Sequence, residues 1–590
     1  VSQKKGFWII LIIFVFFLGF SLAIDYPSLC RGSFFSDGAT YYSMAHSIAN
    51  DGDIEYSRED LFRVFKEFRG GPMGIFLKKD IKQDKIFFSK SFIYPLFCAP
   101  FVRLLGTKGF FAFHSLLLLL IMYLGYTYLI KSISPSLSLG VILTFLFAAV
   151  GMVYFFWITP ELFNLSLIFS AYFLCCYKEI EPQEEKKNSF WSRFLYSAKS
   201  DYIASLLIGL ATFSKPTNAL FIAPFGLFSI YRKRWLRTLI IGLIFVAVSV
   251  GLYGINYLIT GDWNYQGGYR KTFLQQFPLI DSKAQFENSG LSMTTNIEGY
   301  GWFFDGKTFL YNIFYYFFGR YSGIVFYYFP AIFGAALFLL HRKSFLKWLI
   351  FGTAAAAILA NIILIPDNYL GGGGTMGNRY FVNIYPLFFF LIPSLKKGRT
   401  LFISWIIAGI FLSQILLNPL QSSLNPAQHG KGYPFKLLPA ELTQLNDLPI
   451  NTNPHARKVA LSQPAQFYLY FLDDNTYFRE AGGFWIRGCA TAELILRSEK
   501  KLNKIIITVK NSKVDNEVKA RVGWRSQRVS LKTRKKVDMA FKAGRALKYG
   551  ETYLYRITIA SQEGFIPKRY VQASPDNRYL GCFVTIEVER

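Results

Sequence analysis

Apolar runs close to twenty residues long recur along the first two-thirds of the chain and then stop. A hydrocarbon core of roughly 30 Å takes about twenty helical residues to cross, so each run reads as a membrane-spanning helix. The pattern predicts about eleven spans, near residues 7–24, 109–130, 136–156, 161–177, 202–213, 217–230, 238–259, 323–341, 348–365, 379–394 and 400–419. Two of these, 202–213 and 217–230, are short and read as a re-entrant pair or as two tilted helices. The start, Val1-Ser2-Gln3-Lys4-Lys5 before an apolar run, resembles a signal sequence without a clear cleavage site and is expected to be the first span.

The polar stretches complete the plan. A first long loop covers 25–108 and a second covers 260–322. After residue 420 the period changes: Asn425-Pro426 and Gly430-Lys431-Gly432-Tyr433-Pro434 read as a linker. A helix over Pro439 to Leu448 is expected next, then alternating or β-branched runs at Lys458–Leu461, Phe467–Phe471, Ala492–Leu496, Lys504–Val509, Tyr553–Ala560 and Cys582–Val588. Short strands between polar turns predict a β-sandwich or jelly roll. The expected division is a transmembrane domain over 1–420 and a β-rich domain over 421–590.

Charge orients this plan. The 590 residues are 52% hydrophobic with a formal net charge of +28, yet no nucleic-acid recognition motif accompanies the charge. Basic clusters between spans set topology instead. Lys186-Lys187, Arg232-Lys233-Arg234, His341-Arg342-Lys343 and Lys396-Lys397-Gly398-Arg399 mark alternate loops as cytoplasmic. An odd span count then puts the C-terminal domain outside, on the same side as the first long loop. Cys489 and Cys582 would be able to pair in an oxidising compartment.

Candidate chemistry gathers on that outer side. P-loop, His-Glu-x-x-His and Gly-x-Ser-x-Gly patterns are absent from the sequence. Asp37, in Phe35-Ser36-Asp37-Gly38, caps a helix or serves as a general base. Asp51 and Asp53 read as turn residues. Lys90 stands where the first loop re-enters apolar sequence, and Arg379 follows a glycine run on a side that needs no positive charge for topology. A guanidinium there can fork onto a phosphate. Lys215 and Arg320 are weaker instances of the same kind. Glu161 follows Thr159-Pro160 at a short turn, where a carboxylate near lipid is costly unless paired, functional or capping the next helix. Tyr265, Tyr269 and Arg270 offer rings and a guanidinium suited to a sugar.

Taken in order, Ser36-Asp37-Gly38-Ala39-Thr40-Tyr41-Tyr42, the re-entry from Lys90 through Tyr94 to Pro95, Ser214-Lys215-Pro216 and Gly377-Asn378-Arg379-Tyr380-Phe381 resemble the GT-C superfamily of integral-membrane glycosyltransferases. That class includes protein O-mannosyltransferases and aminoarabinose transferases. The resemblance covers roughly residues 1–420 and implies a GT-C-like helical membrane body with an extracytoplasmic β-sandwich. It implies a polyprenyl-phosphate sugar donor and a glycan, lipid or protein acceptor, with Asp37 as the base. Arg379, Lys90, Lys215 and Arg320 would hold the donor phosphate, and Tyr41, Tyr94, Tyr265, Tyr269 and Arg270 would line the substrate site. Many members carry two adjacent acids where this chain has Ser36-Asp37-Gly38. Glu161 is then the candidate second acid, and a divalent cation is left open as a cofactor. The implied setting is a bacterial inner membrane with the site facing the periplasm. A transporter or flippase for a lipid-linked saccharide, or a scaffold with a glycan-binding tail, are the alternatives.

Overall fold

The computed structural model describes residues 2–32, 34–80, 84–180, 190–274, 276–292, 305–341, 344–372, 374–446, 448–450, 458–461, 466–544, 546–571 and 574–589. The basic runs at Lys186-Lys187 and Arg342-Lys343, and Gly373 of the glycine run, lie outside these residues. The chain divides into two compact units. The first joins the stretches ending at Phe304, Leu370 and Leu424; the second comprises Asp305–Ser322, Gly371–Thr375 and Asn425–Arg590.

Helices occupy the apolar runs of the first unit. Four of them are long and apolar enough to cross a membrane: Gln3–Ala23, Lys108–Leu129, Trp235–Thr260 and Phe345–Leu364. A fifth is added if Pro135–Phe147 and Val150–Phe156, bent by 65°, form one span. Ile93–Leu105, Phe329–Leu340 and Leu401–Leu417 are shorter apolar helices. Among the described residues, then, four or five helices reach spanning length where eleven runs were expected. The runs at 161–177, 202–213 and 379–394 give Glu161–Cys176, Lys199–Ser214 and Phe381–Phe389. Proline explains one boundary: Pro216, lacking an N–H, follows the end of Lys199–Ser214. Trp235–Thr260 leaves Leu236, Leu239, Leu243, Val246 and Val250 exposed along its length. An apolar face so exposed suits a helix in contact with lipid.

Glu161–Cys176 and Lys199–Ser214 pack antiparallel, with charged groups only at their ends. Lys215 Nζ meets Glu161 Oε1 at one end, and Lys178 pairs with Asp201 at the other. Sixteen helical residues separate the two ends by about 24 Å. Arg237 also pairs with Asp201, so the second cluster belongs to the basic side read from the sequence.

The two long loops are tied together by short strands. Phe34–Phe35 (β1) pairs in parallel with Pro72–Met73 (β2). Ile75–Asp80 (β3), Lys85–Phe88 (β4), Tyr269–Phe273 (β5) and Leu291–Ser292 (β6) form an antiparallel sheet in the order β4-β3-β5-β6. Thr40 Oγ1, on the Ser36–Asn50 helix, accepts from Phe76 N at 3.0 Å and so fixes this sheet against that helix.

The second unit is a β-sandwich. Its strands are Lys458–Ala460 (β7), Phe467–Phe471 (β8), Phe484–Arg487 (β9), Ala490–Ser498 (β10), Lys504–Lys510 (β11), Asn516–Val522 (β12), Arg525–Leu531 (β13), Lys536–Lys542 (β14), Leu547–Tyr549 (β15), Thr552–Ser561 (β16) and Leu580–Glu589 (β17). One sheet runs β13-β12-β16-β10-β8-β7 with β15 on β16, and the other runs β14-β11-β17-β9. Leu494, Ile507, Val518, Phe541, Ile557 and Val584 meet in the core between them. Instead of the helix expected over 439–448, the described residues there form a single tight turn, Leu442–Gln444. Cys489 and Cys582, which the sequence left open as a pair, are both free: the first is exposed and the second is buried in the core.

Candidate functional site

Six segments of the first unit bring charged side chains to one place, each from the end of a helix or from a loop strand. Asp37 is the second residue of the Ser36–Asn50 helix, whose N-cap position is held by Phe35 without a side-chain cap. The capping role expected of Ser36 or Asp37 is therefore not taken up. Asp37 turns its carboxylate into ion pairs instead. Oδ1 accepts from Lys90 Nζ at 2.7 Å and Oδ2 from Arg379 Nη1 at 2.8 Å. Glu161, fully buried at the start of its helix, accepts on Oε1 from Arg379 Nε at 2.6 Å and from Lys215 Nζ at 3.2 Å. Arg379 thus bridges both carboxylates.

Backbone geometry aims the guanidinium. Arg379 N donates to Leu370 O at 2.9 Å, and Phe381 N donates to Asn378 Oδ1 at 3.0 Å. Gly377 adopts a φ of 64°, and a Cβ there would stand 3.0 Å from the Tyr327 ring, so glycine is required.

Aromatic rings line the cations. Lys90 Nζ lies 4.6 Å from the Phe76 ring centre and Arg270 Cζ 4.8 Å from the same ring. Lys215 Nζ lies 4.7 Å from the Tyr380 ring, and Arg379 Cζ 5.8 Å from Trp157. Such contacts hold a desolvated cation without neutralising it. Tyr41, Tyr94 and Tyr265 are buried nearby. Tyr265 donates to Ser214 O at 3.2 Å and accepts on its carbonyl from Ser89 Oγ at 3.3 Å, tying together the residues before Lys215 and Lys90. Tyr94 shares a 2.8 Å hydrogen bond with His114 Nε2 and packs edge-on against Tyr41.

Burial by itself would raise the Asp37 carboxyl, but Lys90 and Arg379 outweigh it and hold the group well below the usual carboxylate range. Burial lowers the Lys90 ammonium, and Arg270 adds to that fall while Asp37 opposes it. Three basic side chains, Lys90, Lys215 and Arg379, share two carboxylates, with Arg270 beside them. That donor set does not fit a divalent cation. Among the described residues no three His, Cys, Asp or Glu side chains converge. Asp51 pairs with Arg63, and Asp53 accepts from Ser47 Oγ and Glu55 N, in keeping with turn roles.

Two candidates lie elsewhere. Arg320 belongs to the second unit, where Nη1 donates to Glu493 at 2.7 Å and its other nitrogens donate to Leu438 O and Lys436 O. It is a buried clamp of that unit rather than a member of the cluster. Tyr269 alternates away from Arg270 along β5 and packs on Phe286.

No family model matches the chain, and no curated protein matches it in sequence. The solved structure of arabinosyltransferase EmbB from Mycobacterium smegmatis aligns with 97% of this chain at 9% identity and a TM-score of 0.30. The chain spans 64% of that protein's length. A TM-score this low assigns neither a fold nor an activity.

Sequence reasoning missed Phe76, Trp157 and Tyr380. Trp157 stands four residues before Glu161, and Tyr380 directly follows Arg379, so proximity to a charged candidate was an available signal. Phe76 carried none, because its place depends on pairing between the two long loops.

Proposed function

We propose that the chain is a membrane glycosyltransferase of GT-C type that moves a sugar from a polyprenyl-phosphate donor to an acceptor on the extracytoplasmic face. The observation that carries this reading is a part-buried cluster in which basic side chains outnumber carboxylates at one end of a packed pair of apolar helices. A sugar phosphodiester carries one negative charge and its leaving phosphate carries more, so such a cluster favours departure. The lipid-linked phosphate takes the place of Asp37 and Glu161 on Arg379, Lys90 and Lys215. Losing those ion pairs raises the Asp37 carboxyl toward the range in which it acts as a base.

The acceptor O–H or N–H then attacks the anomeric carbon. Its proton passes to Asp37 as the carbon–oxygen bond to phosphate breaks, and the electron pair leaves with polyprenyl phosphate. Before the donor enters, Glu161 positions Arg379 and Lys215 through their ion pairs, and it takes no part as a second acid. Arg270 and Tyr265 contact the sugar. The test compares wild type with Asp37→Asn, using a panel of polyprenyl-phosphate sugars in nanodiscs. Transfer should collapse in the variant while donor binding persists; equal turnover would remove Asp37 from catalysis.

A further inference from the structure

The C-terminal sandwich carries a charge pattern that its fold does not need. Residues 500–550 hold sixteen Lys and Arg against three Asp and Glu. Some of this is edge protection. Strands β13 and β14 are the terminal strands of their sheets, and exposed Arg525, Arg528, Lys536 and Lys542 discourage edge-to-edge pairing. Strand β12 is different, because it lies between β13 and β16 and has no free edge.

Its inward residues Val518, Ala520 and Val522 fill the core, while Lys519 and Arg521 are exposed on the outward face. In the pairing register Lys519 stands directly opposite Arg528. Like charges in that position repel, which is a cost that edge protection does not explain. Arg528 pairs with Glu517, but no ion pair joins Lys519 or Arg521 to an acid among the described residues. Exposed Ser526 and Ser530 share this outward face, opposite Arg521 and Glu517. At the hairpin tip Trp524 is 90% exposed, with the Arg521 guanidinium 5.8 Å from its ring centre.

Cations about 7 Å apart along a strand, hydroxyls between them and one open indole at the end suit an extended, hydroxyl-rich anion. Lipid docking would call for several apolar side chains at the tip, and Trp524 is flanked by Gly523 and Arg525. We propose that the outward face of the β12–β13 hairpin binds a glycan chain carrying carboxylate or phosphate groups. The cations meet the anionic groups and Trp524 stacks on a sugar ring.

The test uses the full chain in nanodiscs of neutral lipid and follows a fluorescent oligogalacturonate by anisotropy. Saturable binding that weakens with salt is expected. Lys519→Gln with Arg521→Gln should weaken it at least tenfold, and Trp524→Ala several-fold, without changing the melting temperature. Lys500→Gln with Lys501→Gln, in the β10–β11 connection, should leave it unchanged. A neutral dextran of equal length should not bind. Undiminished affinity in the hairpin variants, equal loss in the control variant, or equally tight dextran binding would overturn the proposal. So would attachment to anionic vesicles without oligogalacturonate binding, which would make the hairpin a membrane contact.

Discussion

Replacing Arg379 by lysine keeps one positive charge and removes a geometry. The guanidinium presents Nε to Glu161 at 2.6 Å and Nη1 to Asp37 at 2.8 Å, two donors on different edges of one plane. A single ammonium in the same place reaches one of the two acceptor positions well. In the proposed mechanism both donors pass to the departing phosphate, so Arg379→Lys forfeits one charge-assisted hydrogen bond in the transition state. Such a bond contributes about 1.5–3 kcal/mol, which corresponds to a slowing of about 10- to 150-fold. The loss should fall on kcat more than on KM, because charge on the phosphate grows as the bond breaks. Initial rates with a labelled polyprenyl-phosphate sugar give both constants, and a thermal melt checks that the variant is folded. A folded Arg379→Lys protein working within twofold of wild type would refute the assignment of Arg379 to the leaving group.

Two further variants probe the second unit. Arg320 is buried against Glu493, so Arg320→Met leaves that carboxylate only the exposed Arg556 as an ion-pair partner. It should destabilise the sandwich by about 3 kcal/mol in chemical denaturation while leaving donor affinity unchanged. Glu441 is fully buried, with Oε1 accepting from Tyr321 N, Ser322 N and Ser322 Oγ, and burial pushes its carboxyl up to about 6. Because the folded value lies above the unfolded one, stability is highest below pH 4.5 and falls as pH rises toward 6, by about 2 kcal/mol. Glu441→Gln keeps the acceptor and removes the charge, so the variant should melt higher than wild type at pH 8 and lose the slope between pH 4.5 and 6. An unchanged slope would mean that another group titrates there.

The charged cluster was legible in the sequence because of where its members stand. Glu161, Lys215 and Arg379 sit at the margins of apolar runs and Lys90 where the first loop re-enters apolar sequence, positions in which an ionised side chain is costly and therefore conspicuous, while Asp37 stood out at the expected start of a helix. That the five form one chain of contacts was not legible, since Asp37 and Arg379 are 342 positions apart. Arg320 shows the converse: it too borders an apolar run, but its partner is Glu493 in a sandwich strand, and local sequence does not encode that pairing. Breaks inside the runs at 136–156 and 217–230 were not legible, because hydropathy counts residues and not breaks. In the sandwich, the expected runs became strands β7, β8, β10, β11, β16 and β17. Strands β12, β13 and β14 were missed because Lys519, Arg521, Arg528 and Lys536 gave their outward positions the look of a polar loop.

The most direct test of sugar transfer is a single turnover of the wild-type protein with a donor labelled in both its sugar and its phosphate. The account predicts that polyprenyl phosphate appears in step with the new glycosidic bond, one for one. Recovery of the donor intact on the opposite side of a sealed vesicle, with no free polyprenyl phosphate, would contradict transfer and identify a transporter.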